Sequence, residues 1–457
     1  MMLTVCLIVY ILIFMVMSIM DIKHIKGFND FAVAGKNQSL MRVVLTLMAT
    51  ILGASTTMGV VDTVYQIGFP GIWWLLFGSV GLILQSFILS EKVRSLDADT
   101  LPHLAGKLLG RPAEIVLALI IVVSWIGIIA GQLVALNGII TYAFGKSNTA
   151  TMVVISLFVI AYTMIGGQMS VVKTDMLQFA VIIIGIMFCF FYLFFAADPS
   201  GISTVEASDI QLINESYGAK NLITQFFVIG GVYFIGPDIM SRNFMSKDGR
   251  TAKKAALIAA IILAVFAVFI VLIGVWARRN VSAEDIGSAK VLMYVSGLLP
   301  KPVMVLLVLG LLSAVLSSTD TCIINAASIF VKDILGKESI AGIRVTVGVI
   351  GVLATIFAVS NGDIISILSK AYSVYTPGII FPLFIAIMCY GKRQIKKGVW
   401  LTAVCAGGII GLVSSYFPAA LTWMGLSANV ISNLTLIGMG ISLVIALASI
   451  GTPVEEA

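Results

Sequence analysis

Long apolar runs alternate with short polar segments along almost the whole chain. Each run approaches or exceeds the length of about 20 residues that an α-helix needs to cross a bilayer. We count thirteen predicted spans, at residues 2–20, 43–63, 71–90, 114–144, 150–166, 174–196, 221–240, 256–277, 302–330, 343–359, 364–390, 399–416 and 428–450. The first run has no basic segment before it and no small-residue cleavage site after it, which indicates a retained span rather than a signal peptide. The pattern predicts an all-α polytopic membrane protein.

Basic residues are unevenly distributed between the two sets of loops. With the N-terminus outside, the inner loops hold 21 of the 28 Lys and Arg residues and the outer loops hold six. Inner loops of membrane proteins are enriched in these residues. The distribution therefore predicts an outside N-terminus and an inside C-terminus in a plasma membrane, which we expect to be a bacterial inner membrane.

Composition excludes several classes of function. Of the 457 residues, 60% are hydrophobic and 11% are charged, whereas soluble domains have about 25% charged residues. A soluble enzyme, a nucleic-acid-binding protein and a disordered chain are therefore excluded, and the net charge of +6 reflects the inner loops. The chain contains no P-loop motif, and the seven residues after Ile450 are too few for a kinase or nucleotide-binding module. We expect no enzymatic activity and no organic cofactor.

Two predicted spans contain residues that interrupt helices. In the second span, residues 49–57 cluster small and hydroxylated side chains around Gly53; close helix packing is the alternative explanation for this cluster. The seventh span is interrupted by Gly230, Gly231, Gly236 and Pro237. Such residues free backbone carbonyls and amides that must find other partners. Paired broken helices in corresponding positions favour an inverted-repeat transporter over a channel, for which the chain shows no filter-like motif.

The paired breaks define the organisation that we expect for a single transmembrane transporter domain. It comprises a leading helix and inner loop at 1–42, a first repeat at 43–196, a second repeat at 221–390, and trailing helices with a short tail at 399–457.

The ninth predicted span carries a polar face. Ala314, Ser317, Ser318 and Thr321 recur at intervals that place them on one side of a helix. Hydroxyl and carbonyl oxygens suit a hard cation such as Na⁺, and Asp320 adds a carboxylate. Polar residues inside spans are functional candidates by default because lipid does not solvate them.

A second polar stretch begins with two adjacent glycines. Residues 166–178 read GGQMSVVKTDMLQ, which resembles the GG-x-x-SV-x-x-TD-x-x-Q signature of the sodium:solute symporter family. Residues 238–254 are similar to the family's segment after its second broken helix, and residues 314–334 are similar to its sodium-site helix. The resemblance extends over nearly the whole chain. It implies a LeuT-like five-plus-five inverted repeat with two broken helices and flanking helices on both sides.

The resemblance also implies how cations bind. The principal sodium ion, the expected coupling ion, would contact backbone carbonyls and hydroxyls of five residues: Ala49, Leu52, Ala314, Ser317 and Ser318. A second cation, or the exit path of sodium, would involve Asp175, Asp320 and Thr321. A proton held by these carboxylates is the alternative.

The substrate is expected near the membrane midplane, between the two breaks. The residues that we expect around it are Gly53, Ser55, Thr56, Phe69, Gln132, Phe227 and Tyr233. Half-helix N-termini there favour a carboxylate. This chain has Leu75 where the family's sugar carriers have a polar side chain, and Ile128 where its sialic acid carriers have an arginine. These departures favour a small carboxylate or an amino acid over a carbohydrate.

These observations predict a sodium-coupled secondary active symporter that imports a small organic solute by alternating access. A proton-coupled carrier and a substrate sensor on the same fold are the alternatives. The expected partners are the small-molecule solute and the lipid bilayer, with neither nucleic acid nor an obligatory protein partner.

Overall fold

The structure is a computed structural model of the chain, and it describes residues 2–21, 25, 27–145, 149–197, 206, 209–287, 290–360 and 363–454. Three basic residues that entered the loop comparison, Lys23, Lys26 and Lys146, lie outside these ranges, as does the end of the tail at 455–457.

The described residues are almost entirely helical. The α-helices in chain order are α1 (Met2–Asp21), α2 (Phe28–Val33), α3 (Leu40–Ile51), α4 (Val60–Ile67), α5 (Trp73–Leu84), α6 (Ser90–Ser95), α7 (Leu101–Leu109), α8 (Arg111–Phe144), α9 (Thr149–Phe191), α10 (Ala219–Gln225), α11 (Gly231–Ile235), α12 (Pro237–Met245), α13 (Gly249–Asn280), α14 (Ala283–Ile286), α15 (Val291–Leu298), α16 (Lys301–Ile329), α17 (Ile340–Val359), α18 (Ile364–Cys389), α19 (Lys397–Tyr416), α20 (Pro418–Trp423) and α21 (Ala428–Ala448).

Short segments of other regular structure join these helices. The 3₁₀ turns are Ala34–Lys36 and Phe69–Ile72, and the π-helical turns are Ser55–Gly59, Gln85–Leu89, Tyr192–Ala197, Phe226–Gly230 and Phe330–Ile334. Two strands, β1 (Arg393–Ile395) and β2 (Ile450–Pro453), pair antiparallel. This pairing ties the segment between α18 and α19 to the chain after α21.

Within the described ranges, eleven helical runs are long and apolar enough to cross a membrane, and a bent pair raises the count to twelve. The sequence predicted thirteen spans. The difference arises because the predicted spans at 150–166 and 174–196 are continuous in Thr149–Ala196, a run of 48 residues. At 1.5 Å per residue this run is about 72 Å long, more than twice a hydrocarbon core of about 30 Å.

Gly167 divides this long run. Its backbone is not helical (φ 59°, ψ −174°), and a Cβ atom there would lie 2.7 Å from the ring of Phe31. Glycine tolerates both the positive φ and the close contact. The run therefore consists of two helices that meet at Gly167, and its length leaves room for two membrane passes.

Two other spans are interrupted where the sequence predicted breaks. α3 ends at Ile51, and the helical run Ser55–Ile67 continues at an angle of 59° to it. In the run Ala219–Met245, Gly236 has an extended backbone (φ −78°, ψ 142°) and Pro237 begins α12. Proline suits the first position of a helix because its missing amide needs no partner there. Gly230 and Gly231 stay helical, so only the Gly236–Pro237 step breaks this span.

α9 and α16 pack closely at the centre of the molecule. A Cβ atom at Gly185 of α9 would lie 2.6 Å from the Leu306 carbonyl, and one at Gly310 of α16 would lie 3.1 Å from the Val181 carbonyl. Small residues let helix backbones approach in this way in membrane proteins. The outer faces of the bundle instead expose large apolar side chains, as expected of a lipid-facing surface, among them Val5, Val265, Val345, Ile356 and Val444.

A network of ion pairs joins loops at one end of the bundle. Lys36 Nζ lies 2.5 Å from Asp99 Oδ1, and Lys332 pairs with the other oxygen of Asp99. Burial alone would raise the pKa of Asp99, but hydrogen bonds with His103, Lys332 and Lys36 outweigh burial and hold the pKa well below its usual range. Asp99 therefore stays ionised and connects three segments of the chain.

Candidate cation and substrate site

The break after α3 frees two backbone carbonyls. The three amides that follow Ile51 donate to the Met48 carbonyl, the Ile51 carbonyl and Oε1 of Gln132, at 2.9, 2.9 and 3.0 Å. None of them therefore donates to the carbonyl of Ala49. Among the described residues, no backbone amide donates to the carbonyl of Leu52 either. Both carbonyls keep their acceptor capacity for another partner, which a buried carbonyl requires.

Side chains hold this break in place. On the far side of the break, Oε1 of Gln132 in α8 accepts a hydrogen bond from the Ala54 amide. The hydroxyls of Thr56 and Thr57 donate to the Gly53 carbonyl at 3.2 and 2.8 Å. A Cβ atom at Gly53 would overlap the side chain of Ser318. The unwound segment thus packs directly against α16, and glycine is required for that approach.

The polar face of α16 meets the break. Ser318 Oγ donates to the Thr50 carbonyl at 2.8 Å, and Ser317 Oγ donates to Asp175 Oδ1 at 2.5 Å. A hydroxyl that donates one hydrogen bond keeps its lone pairs for a cation. Ala314 is fully buried one turn earlier on the same helix. The five predicted sodium ligands accordingly lie on two elements that are in direct contact.

Asp175 stands beside this site in a dense polar cluster. It is fully buried on α9 and accepts a hydrogen bond from Thr46. The Nη2 atom of Arg242 lies 3.4 Å from Asp175 Oδ2. The same atom donates to Thr321 at 2.9 Å, to Thr46 at 3.0 Å and to Thr50. A guanidinium of the protein is therefore the nearest cation to the predicted exit residue.

Asp320 of α16 has a different hydrogen-bond partner from Asp175. Thr163 of α9 donates to Asp320 Oδ1 at 2.6 Å. Asp320 Oδ2 is buried, and no described residue forms a hydrogen bond with it. Thr321 interacts with Thr50 at 3.3 Å instead. The predicted second-cation residues thus come from α9 and α16 but share no direct hydrogen bond.

A narrow cavity of about 50 Å³ lies between the two breaks. Four of the predicted substrate residues line it, namely Gly53, Ser55, Gln132 and Tyr233. Ile128, which by the resemblance stands where sialic acid carriers have an arginine, also lines it.

The remaining three predicted substrate residues lie elsewhere. Thr56 directs its hydroxyl to carbonyls of the break. Phe69 belongs to the 3₁₀ turn before α5. Phe227 lines a separate apolar cavity between α5, α11 and α18. The structure therefore brings Gly53, Ser55, Gln132 and Tyr233 together at one cavity and leaves Thr56 and the two phenylalanines outside it.

Asp238 is a charged cavity residue that the sequence analysis did not select. It lies in the first turn of α12, and its Oδ2 accepts from Trp125 Nε1 at 2.7 Å and from Cys322 Sγ at 3.3 Å. Asn325 Nδ2 donates to Oδ1 at 2.7 Å. The carboxylate is 8% exposed and fixed in orientation by donors from two other helices.

The predicted spans leave Arg242 in the inner loop between 240 and 256, and the structure corrects this. Arg242 is 1% exposed inside the bundle, on α12. A signal was available in the chain, because Asp238 and Arg242 stand four residues apart on one face of a helix that follows Pro237. For Trp125, a single tryptophan in an apolar run, no comparable signal exists.

The assembled groups can bind an alkali cation and a small solute. Carbonyl, hydroxyl and carboxylate oxygens converge on one region, and hard cations prefer such ligands. Among the described residues, no group of three or more His, Cys, Asp and Glu side chains could hold a metal ion. Oxygen ligands of mixed type next to a small cavity suit the joint binding of an ion and a solute.

Comparison with known proteins gives a family and a fold. The model of the sodium:solute symporter family matches residues 31–411. A solved structure of a Na⁺-coupled sialic acid symporter, in a substrate-bound outward-open state, superposes with a TM-score of 0.80 at 16% sequence identity. That match covers 98% of this chain and 97% of the other.

Two further solved transporters share the architecture at lower similarity. Mhp1, a nucleobase-cation-symport-1 family transporter in a closed conformation with bromovinylhydantoin bound, gives a TM-score of 0.58 at 12% identity, over 92% of this chain and 93% of the other. MhsT in complex with L-phenylalanine gives 0.58 at 14% identity, over 90% and 99%. At these identities the matches show the fold alone, a LeuT-like arrangement of membrane helices.

Proposed function

Because the chain belongs to the sodium:solute symporter family, we propose that it is a sodium-coupled secondary active symporter that imports a small organic solute. The family consists of membrane transporters rather than enzymes. The observation that carries this proposal is the pair of freed carbonyls at the α3 break, on a segment whose Thr50 carbonyl accepts a hydrogen bond from Ser318 of α16.

The proposed sodium site uses the Ala49, Leu52 and Ala314 carbonyls with the Ser317 and Ser318 hydroxyls. Support comes from the break, which leaves the first two carbonyls without backbone partners. Asp175 adds a negative charge through its hydrogen bond with Ser317. Five neutral oxygens alone attract Na⁺ weakly, so a carboxylate beside them strengthens the site.

Asp175, Asp320 and Thr321 form the proposed second-cation or exit region. Asp320 is fully buried, and the neighbours that its carboxylate contacts, Thr163 and Tyr162, are uncharged, which favours a role in binding a cation or a proton there. Arg242 already contacts Asp175 and Thr321. A sodium ion that passes this region would therefore have to replace the guanidinium at one of these residues or share the residue with it.

The site takes its ligands from two elements, the α3 break and α16, and this arrangement allows alternating access. Sodium would connect the α3 break to α16, and the solute would then bind in the adjacent cavity. When these elements separate toward the inside, the oxygens diverge and both ligands are released. A membrane potential drives this cycle because one charge moved through 100 mV gains about 2.3 kcal/mol.

The finer assignments belong to the same proposal. The solute is a small carboxylate or an amino acid, since Leu75 and Ile128 are apolar where the family's sugar and sialic acid carriers are polar. The excess of Lys and Arg in alternate loops supports an outside N-terminus in a bacterial inner membrane. The repeats comprise 43–196 and 221–390.

A thermal unfolding experiment on purified protein tests the coupling ion. Binding to the native state raises stability by mass action, so we expect NaCl, and not KCl at equal ionic strength, to raise the melting temperature. In proteoliposomes, an inward sodium gradient should drive uptake of the solute found in this way. A response to pH with none to sodium would replace the proposal by proton coupling.

A further inference from the structure

We propose that Asp238 receives a protonated amine of the substrate, so that the transported solute is an amino acid or another amine-bearing compound rather than a simple carboxylate. This inference rests on the sodium-coupled import proposed above and narrows its substrate class.

The position of Asp238 supports this role. Its side chain lines the cavity between the two helix breaks, immediately after the Gly236 break. Among the residues that line this cavity, Asp238 alone carries a formal charge. The electrostatic preference of the cavity is therefore for a positive group.

The hydrogen bonds of Asp238 hold the carboxylate without neutralising it. Its three donors, Trp125, Cys322 and Asn325, are uncharged. Two of them bind Oδ2 and one binds Oδ1. An ionised carboxylate offers about four acceptor positions, so one position remains on Oδ1. One acceptor position of a residue that lines the cavity is therefore left for a ligand.

The neighbouring guanidinium does not compensate this charge directly. Arg242 Nη1 donates to the backbone carbonyl of Asp238 at 3.4 Å and to Ser241 at 3.0 Å, while Nη2 points to Asp175. A buried charge without a partner is unfavourable. A substrate with only a carboxylate would add a second negative charge to the cavity, whereas an ammonium group would offset the first.

Aromatic side chains make the cavity around Asp238 suited to an ammonium group. Trp125, Tyr233 and Tyr372 all line the cavity with Asp238. Ring faces attract cations through their quadrupole, and a carboxylate among such rings is a common setting for an organic ammonium.

Paired ligands test the proposal on the unmodified protein. We would measure binding of L-alanine, L-proline and L-phenylalanine in NaCl, each against its acid without the amine: propionate, cyclopentanecarboxylate and 3-phenylpropionate. At least one amino acid should bind, and its deaminated partner should bind at least about tenfold more weakly, a difference of 1.4 kcal/mol. Equal affinity within the binding pair would overturn the role of Asp238.

The variant Asp238→Asn keeps the shape of the side chain and removes its charge. We expect it to reduce the preference for the amino acid over its deaminated partner at least fivefold. Stabilisation by NaCl without solute should persist. The matched control is Asp62→Asn, whose carboxylate pairs with Lys290 at 3.3 Å and does not line the cavity; it should leave the preference unchanged. If the role of Asp238 is purely structural, the variant should bind the amino acid and its deaminated partner more weakly by the same factor.

The outcomes separate this inference from the proposed function. Sodium-driven uptake of a deaminated acid as efficient as that of its amino acid would keep symport and overturn the amine contact. Stabilisation by sodium with no contribution from any amine-bearing compound would also overturn it. If sodium neither stabilises the protein nor drives uptake, the proposed function itself fails.

Discussion

The guanidinium of Arg242 lies 3.4 Å from the carboxylate of Asp175, and both side chains are buried in the bundle. Removing one partner of a buried ion pair leaves the other charge unpaired, which costs about 3–5 kcal/mol. We therefore expect Arg242→Gln to lower the stability of the purified protein strongly and to impair sodium-driven uptake.

A double variant tests whether the charge itself causes this loss. Arg242→Gln combined with Asp175→Asn removes both charges, so it should be more stable than Arg242→Gln alone. Such non-additivity is expected of contacting residues, and thermal unfolding of the four proteins in a mutant cycle measures it. Strict additivity would show that the pair does not interact.

The two hydroxyls of α16 should set the sodium requirement. Ser317→Ala or Ser318→Ala removes one oxygen, worth about 1 kcal/mol, and should raise the sodium concentration for half-maximal uptake about fivefold. The matched control is Ser313→Ala, one turn away, whose hydroxyl bonds the Leu309 carbonyl at 2.7 Å and Tyr10. Sodium titration of uptake in proteoliposomes distinguishes the two site variants from the control. An unchanged sodium dependence in both site variants would refute the ligand assignment.

Gly53 should tolerate no side chain. A Cβ atom there overlaps Ser318, so Gly53→Ala should force the break away from α16 and reduce sodium-driven uptake at least tenfold. Gly348→Ala in α17 is the control, since nothing lies within 4 Å of its Cβ position. That change should keep uptake and stabilise the helix by up to about 1 kcal/mol. Normal sodium affinity in Gly53→Ala would contradict the packing argument.

The loop network predicts a pH effect on stability. The pKa of Asp99 is lowered in the folded protein, so its ionised form contributes stability above the unfolded value of about 3.9. That contribution is lost as the pH falls through the folded value. Asp99→Asn should cost about 2 kcal/mol at pH 7, and the difference from the unmodified protein should shrink below pH 4.

The control for this effect is Asp97→Asn on the same segment. Asp97 pairs with Lys36 at 2.9 Å but its side chain is 67% exposed, and exposed pairs contribute less than about 1 kcal/mol. Thermal unfolding at both pH values measures each difference. A larger loss for Asp97→Asn than for Asp99→Asn would contradict the assignment of Asp99 as the centre of the network.

Hydrophobic patterning predicted most of the fold. Apolar runs located the spans, and glycine and proline located both breaks, because helix interruption in lipid needs residues with special backbone behaviour. The structure places the break of the seventh span at Gly236 and not at the Gly230–Gly231 pair, which sequence could not distinguish. The predicted spans at 150–166 and 174–196 lie on the two sides of a kink at Gly167, whose backbone is not helical.

The candidate site was only partly predictable. Spacing along one helix gathered Ser317, Ser318 and Thr321, because those contacts depend on local periodicity. Asp238 and Arg242 were missed as site residues because the predicted seventh span ends at residue 240, whereas the structure keeps α12 buried to Met245. Contacts between residues far apart in the chain, such as Trp125 with Asp238, carry no periodic signal at all.

The glycine contact between α9 and α16 has a mechanical consequence. Since Gly185 and Gly310 let the two backbones interlock, we expect these helices to travel as one rigid block during the cycle. The α3 break meets that block through side chains such as Ser318 and through any ion held between them. The ion site therefore lies between the α3 break and the α9–α16 pair, and its affinity should depend on the distance between them. A variant that loosens α9 from α16 should weaken the coupling of ion and solute binding even when every ligand residue is intact.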